Sequence, residues 1–230
     1  IDRCPECGHH WYRDQPALEA LSEMYSRGRS LLPRVGGPSR SPTTFMLMEM
    51  RRLKKITSRG RRLLDYGSGF GRWARAGVIE GFDVTGYEPS SSRGSEPGNL
   101  EFELVHDLER LSGCCFDAVN LEQVLEHVPD PLEEMRRIRR MCMAHSVVRV
   151  TVPNIKRSEE GERLWPTWPY DGTRVHTMAP FEHLHGFTPL SLRTLCRRAG
   201  FLVVPGWRFI YAFPSRGARA VLRRWIPSVD

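Results

Sequence analysis

Leu63-Leu64-Asp65-Tyr66-Gly67-Ser68-Gly69-Phe70-Gly71 is the stretch from which the rest of the chain can be read. An apolar run ends in an acid, and three glycines follow at alternate positions. The pattern predicts a buried strand that stops at Asp65, a loop with little side-chain bulk, and a helix that starts near Gly71. Glycines in such a loop adopt positive φ and let a ligand approach the backbone closely. The unpaired N–H groups of the helix start then favour a carboxylate or a phosphate. A dinucleotide fingerprint would read G-x-G-x-x-G. Here the third glycine arrives one residue early and Arg72 follows, so the pattern is acid-x-G-x-G-x-G.

Elements of two kinds alternate downstream, as in an α/β fold. A helix over 72–80 is closed by Gly81. Strands are predicted at 82–87, 101–105, 116–121, 146–152, 202–205 and 207–213. Glu88 stands at the tip of the second strand, 23 residues after Asp65. An acid there can accept both hydroxyls of a ribose, for a nicotinamide cofactor as well as for other nucleosides. Asp130 and Pro131 fit the N-cap and first position of a helix running to Met141, and Thr188 and Pro189 repeat that signature for a helix to Ala199. Upstream, Phe45, Met46, Met50, Leu53 and Ile56 fall on one side of a helix over 43–56, interrupted by Glu49.

Two segments resemble the class I S-adenosylmethionine (SAM) methyltransferases. One is the Asp65–Gly71 loop, similar to the first motif of that superfamily. The other is Phe116-Asp117-Ala118-Val119 leading into Val124-Leu125-Glu126-His127-Val128-Pro129-Asp130-Pro131. The resemblance implies an α/β, Rossmann-like doubly wound sheet of about seven strands, mostly parallel with strand 7 antiparallel, and helices on both faces. It implies that Asp65, Gly67, Ser68, Gly69, Phe70 and Gly71 wrap the methionine part of the cofactor and that Glu88 holds its ribose. It also implies that Asp107 and Leu108 meet the adenine and that Glu122 and Gln123 lie at the carboxyl end of the fourth strand. Asp107 equally suits a cap on the following turn. Met141-Cys142-Met143-Ala144-His145 departs from the Pro-Gly-Gly-type turn usual at the end of the family's helix.

The N-terminus carries Cys4-Pro5-Glu6-Cys7-Gly8, two thiols at zinc-knuckle spacing. It is similar to the second knuckle of the zinc ribbon that precedes some methyltransferases, with the first knuckle missing from the chain. Cys4 and Cys7 are the candidate metal ligands, and His9 or His10 would have to complete the set. The resulting expectation is a partial knuckle at 1–12, a helical cap at 13–60, the SAM-binding domain at 61–213 with a lid insertion at 155–187, and a tail at 214–230.

The 230 residues suffice for one α/β domain with appendages. No apolar run approaches the roughly 18 residues of a transmembrane helix and no secretory signal is seen, which points to a cytoplasmic enzyme. The net charge of +7 is carried almost wholly by arginine, densest over 51–62, and raises RNA as an alternative partner. Residues 155–182 hold Trp165, Trp168, Tyr170 and several prolines, the composition of a substrate wall rather than a linker. Aromatic faces suit sugars, rings or cations. Methyl transfer to a hydroxyl needs a general base, and histidine is the natural one. His127, His183 and His185 are the candidates, His127 equally suiting a packing role. A metal pair at His183 and His185 would use Glu182 as third ligand. The leading expectation is O-methylation of a small molecule such as a sugar or secondary metabolite. RNA methylation and a non-catalytic SAM-binding module are the alternatives.

Overall fold

The computed structural model describes residues 1–17, 19–21, 23, 41–91, 101–156, 170–171, 174–175, 177–178, 182–205 and 210–214. Seven strands form the central sheet: β3 (Arg62–Tyr66), β4 (Asp83–Tyr87), β5 (Glu103–Val105), β6 (Phe116–Glu122), β7 (Cys142–Thr151), β11 (Phe201–Pro205) and β12 (Ile210–Pro214). Their order is β11-β12-β7-β6-β3-β4-β5. The pairs from β5 to β7 are parallel, and β12 runs antiparallel to both β7 and β11. This is the expected doubly wound sheet with its seventh strand reversed. Chain order reverses between β3 and β6, the switch point where open α/β sheets bind ligands.

Neighbouring residues of the central strands point to opposite faces and both are buried, as a sheet covered on two sides requires. Leu63, Ala118 and Val147 align across three strands and pack under α1 (Thr44–Ile56) and α2 (Arg72–Ile79). Leu64, Val119 and Val148 align on the other face under α3 (Pro131–Arg140) and α4 (Pro189–Arg198). The caps form as their residue types predict. Asp130 accepts from the backbone N–H groups of Leu132 and Glu133, and Thr188 and Ser191 make a reciprocal capping box.

Two features depart from expectation. Strand β7 begins at Cys142, four residues before the predicted start. Phe116 pairs with Cys142 while Ala118 pairs with Val147, so the chain bulges between. Ser146 closes the bulge: its hydroxyl donates to the Phe116 carbonyl at 2.6 Å and accepts from the Met143 N–H at 2.7 Å. The absence of the Pro-Gly-Gly turn is therefore met by a bulge rather than a loop. Second, the N-terminal segment joins the body of the protein. β1 (Asp2–Arg3) and β2 (His10–Trp11) form a hairpin, and β2 pairs with β10 (His185–Gly186). A further hairpin, β8 (Tyr170–Asp171) and β9 (Arg174–Val175), lies within the proposed lid. The lid tryptophans, residues 24–40 of the expected helical cap and the tail from residue 215 lie outside the described residues.

Candidate functional site

The glycine loop connects β3 to α2 as the sequence requires. Gly67, Gly69 and Gly71 have φ of 76°, 54° and 76°, which L side chains rarely adopt. A Cβ on Gly67 would sit 2.6 Å from Val124 Cγ2, and one on Gly71 2.7 Å from Phe102 Cζ. At Gly69 a Cβ would meet nothing within 4 Å, so the middle of the loop faces open space. The N–H groups of Gly67 and Ser68 both donate to the Tyr87 carbonyl, which ties the loop to the end of β4. Glu88, buried one residue further on, accepts from Gly69 N at 2.9 Å and from Ser90 N at 3.1 Å. Phe70 turns its carbonyl to Arg75.

Asp65 is 2% exposed. Its Oδ1 accepts from Asn120 Nδ2 at 2.8 Å, while Oδ2 and the Ser68 hydroxyl have no hydrogen-bond partner among the described residues. Burial pushes the Asp65 carboxyl up to about 7, against the opposing pull of the Asn120 hydrogen bond. An orphaned acidic oxygen, an orphaned hydroxyl and an open glycine cradle in one loop fit a ligand carrying a cation and polar atoms.

Strand register explains how Asp65 reaches further. Asp65, Asn120, Arg149 and Tyr211 occupy one row across four strands and share a face. Arg149 is completely buried, yet Nη1 donates to Asn120 Oδ1 at 2.8 Å and to Glu122 Oε2 at 2.6 Å. Its Nε lies 3.8 Å from Glu49 Oε2, and its guanidinium sits 4.3 Å from the Trp73 ring centroid. Glu49 interrupts the apolar stripe of α1 because it faces this buried cation. Glu122 therefore stands at the strand end where it was expected, with Arg149 as its partner. Gln123, next in the chain, has φ 55° and is the positive-φ non-glycine among the described residues. Such strain at a strand end concentrates at functional sites.

On the far rim, Asp107 accepts from Glu109 N at 2.9 Å and caps a 3-10 turn over Leu108–Leu111. Its carboxylate thus takes the capping alternative in this structure. Leu108 opens that turn and packs against the core. His106 Nδ1 donates to the Glu88 carbonyl at 2.7 Å, joining this rim to the tip of β4.

The three candidate histidines divide into two neighbourhoods. The imidazoles of His127 and His183 meet edge to face with centroids 4.8 Å apart. His127 Nδ1 donates to the Glu182 carbonyl and His183 Nδ1 to the Thr177 carbonyl, which places each ring's acceptor nitrogen at Nε2. His127 Nε2 lies 3.9 Å from Glu126 Oε1. Glu126 is fully buried, and neither carboxyl oxygen has a hydrogen-bond partner among the described residues. Burial drives its carboxyl up to about 8. Sequence reasoning gave Glu126 no role, although a carboxylate inside the apolar Val124–Val128 run is itself a signal.

His185 faces elsewhere. Its Nε2 donates to the Pro129 carbonyl, and its Nδ1 accepts from His9 at 3.2 Å. The rings of His9 and His185 stack at 5.3 Å. A metal pair at His183 and His185 would need both rings on one side, as strand alternation from residue 183 would place them. The strand begins only at His185, and the N–H groups of Leu184 and His185 both turn onto the Glu126 carbonyl. Glu182 likewise contributes its carbonyl, not a ligand pair with His185.

Cys4 and Cys7 lie on the β1–β2 turn, where Cys4 N donates to the His9 carbonyl and Gly8 N to the Cys4 carbonyl. Hydrogen bonds from Cys7 hold the Cys4 thiol below its ordinary range, and burial raises that of Cys7. Among the described residues, the three-donor cluster that could hold a metal is Glu126, His127 and His183, not one built on Cys4 and Cys7.

Residues 43–205 match the family model for a methyltransferase domain, which covers most of the chain. A comparison with curated proteins finds no match. Among solved structures, the chain is similar to the Burkholderia thailandensis 1,6-didemethyltoxoflavin-N1-methyltransferase, solved with 1,6-didemethyltoxoflavin and S-adenosylhomocysteine. The TM-score is 0.55 at 17% identity, over 91% of this chain and 95% of the other. It is also similar to a SAM-dependent methyltransferase from Archaeoglobus fulgidus, with TM-score 0.52 and 20% identity over 80% and 75% of the two chains. At these identities the likeness establishes a shared fold. No helix among the described residues is long and apolar enough to cross a membrane.

Proposed function

We propose that this chain, which belongs to the methyltransferase-domain family, is a SAM-dependent methyltransferase that modifies a hydroxyl of a small molecule, a sugar or secondary metabolite. The observation that carries the cofactor half is the loop after β3, where Asp65 Oδ2 and Ser68 Oγ lie orphaned beside an open Gly69. The bound cofactor supplies a methyl group on a sulfonium. Gly67, Gly69, Phe70 and Gly71 shape the backbone around its methionine part, and Asp65 with Ser68 receives the polar groups there. Glu88 holds the ribose hydroxyls while anchored through Gly69 N. Asp107 and Leu108 border the adenine, with the Leu108 N–H as donor. Glu122 and Gln123 close the strand-end side.

His127 and His183 stand beyond the carboxyl end of β6 and receive the acceptor. With Nδ1 held by a carbonyl, His127 presents Nε2 to take the hydroxyl proton as the oxygen attacks. Glu126 Oε1 lies 3.9 Å from that same Nε2 and closes the buried side of the site. His185 takes a positioning role, tying β10 to His9 and Pro129. The segment 155–187 forms the acceptor wall, its two ends joined through the Asn154–Phe187 bridge. A small acceptor is favoured over RNA because part of the positive charge of the basic 51–62 segment is already matched within the chain. Arg51 pairs with Glu80, Arg52 with Glu49, and Lys54 with the Glu80 carbonyl.

Cys4 and Cys7 supply two of the four donors of a structural zinc. The half-site reading is tested by zinc content before and after Cys4→Ser/Cys7→Ser. The enzyme reading is tested by calorimetry with SAM, then single turnover against a panel of sugars and phenols. Absence of SAM binding removes the reading at its root, and binding without turnover on any acceptor favours a non-catalytic module.

A further inference from the structure

We infer that Glu126, His127 and His183 form a divalent transition-metal site that binds the acceptor hydroxyl. This deepens the acceptor half of the proposed function: with the metal bound, His127 Nε2 ligates it and water, in place of His127, takes the acceptor's proton; the role of the metal rests on that reading, its binding does not.

Three observations converge. One ligand atom from each residue lies within 4.8 Å of the other two, on two segments 56 residues apart in the chain. Tetrahedral donors at bonds of about 2.1 Å sit about 3.4 Å apart, so a modest inward turn of the rings closes the set. In both imidazoles Nδ1 donates to a backbone carbonyl, as in most histidine ligands, which makes Nε2 the atom for a metal; that of His127 lies 3.9 Å from Glu126 Oε1. Glu126 is fully buried with both oxygens unpartnered among the described residues, which is costly unless a cation or a proton answers it. An ordinary acid–base pair would explain a hydrogen bond between Glu126 and His127. Their separation of 3.9 Å is too long for one and leaves room for an ion between them.

Two imidazoles and one carboxylate suit zinc, cobalt(II), iron(II) or manganese(II) and leave a coordination position open. The acceptor oxygen takes that position and loses its proton to water. It then forms the new O–CH3 bond as the carbon–sulfur bond breaks, and the electron pair of the broken bond stays on sulfur. No charge accumulates on the protein.

The test uses the full chain carrying Cys4→Ser/Cys7→Ser, so that thiols contribute nothing. It is stripped with chelator and titrated with cobalt(II) without acceptor. The expected result is one equivalent bound, with visible ligand-field bands lacking a thiolate contribution. Affinity should fall at least about tenfold in Glu126→Gln and in His183→Ala, and remain unchanged in His145→Gln. Cobalt should also shield His127 and His183 from diethyl pyrocarbonate in the unmutated protein, which checks the site without core substitutions. No cobalt binding by the stripped protein, or equal binding by a Glu126→Gln/His127→Ala/His183→Ala variant, overturns the inference. SAM calorimetry on the same samples separates the two claims. Cobalt failing while SAM binds refutes the metal site alone, and cobalt binding without SAM refutes the enzyme reading alone.

Discussion

Replacing Asp65 with asparagine should remove a pH dependence of cofactor binding that the wild-type protein shows. Burial holds the Asp65 carboxyl at about 7 instead of 3.8. The groups facing it are Asn120, Glu122, Arg149 and the Ala74 N–H. A cofactor bringing an ammonium to Oδ2 binds the ionised form, so binding below the carboxyl's titration point must first expel a proton. The apparent Kd then scales as one plus the ratio of protonated to ionised Asp65: a factor of about 2 at pH 7, about 11 at pH 6 and about 100 at pH 5. Isothermal titration of SAM from pH 5.5 to 7.5 in buffers of different ionisation heat reads both the slope and the proton released. The amide of the Asp65→Asn variant cannot titrate, so its profile should be flat, and titration of the cofactor's own amine cancels in the ratio of the two proteins. The stability effect has the opposite direction. A carboxyl raised on folding stabilises fully below about pH 4, and that contribution is lost as pH rises to about 7. Asp65→Asn should therefore gain up to about 4 kcal/mol on the wild type across that window, seen in urea melts. A wild-type Kd that stays level from pH 7.5 to 5.5, or an Asp65→Asn variant with the same slope, would refute the reasoning.

Arg149→Met should cost about 3–5 kcal/mol in urea denaturation, because Glu49 and Glu122 lose the cation between them; a loss below about 1 kcal/mol would show the row to be dispensable. Adding Glu49→Gln should restore part of that loss, as a double-mutant cycle would show. Gly71→Ala meets both a φ of 76° and Phe102 Cζ at 2.7 Å, and should lose about 1–3 kcal/mol. Trimming Phe102 to leucine should recover only the steric share, so full recovery of Tm would contradict the backbone argument. His127→Ala and His183→Ala should each lower kcat by about 10²–10⁴ with SAM affinity kept within about twofold. Unchanged turnover in either would remove that histidine from the acceptor site.

The sheet was legible because each strand is a short apolar run closed by a glycine, an acid or a proline, and each helix carries its cap in the sequence. The conformation of the glycine loop was legible for the same reason: its spacing is local. The site beyond it was only partly so. Asn120 and Arg149 are polar residues inside apolar strands, which signals a special role but not a partner. Their partners are set by register across β3, β6, β7 and β12, a property of strand pairing. Glu49 looked like a flaw in a helix stripe until Arg149 came to lie beneath it. His183 and His185 illustrate the limit in the other direction. Spacing by two implies a common side only within a strand, and the strand starts too late to include His183.

The long-range pairing that β2 makes with β10 also bears on when the molecule is finished. Trp11 pairs with His185, so the ribbon's third strand is synthesised 174 residues after its second. At about 5–20 residues per second, the hairpin waits roughly 10–35 s with one edge unsatisfied. Strands β3 to β7 all emerge within that interval. The strands that flank the glycine loop can therefore pair on the ribosome, while the segment around His183 is fixed only when the early and late strands of that ribbon have met.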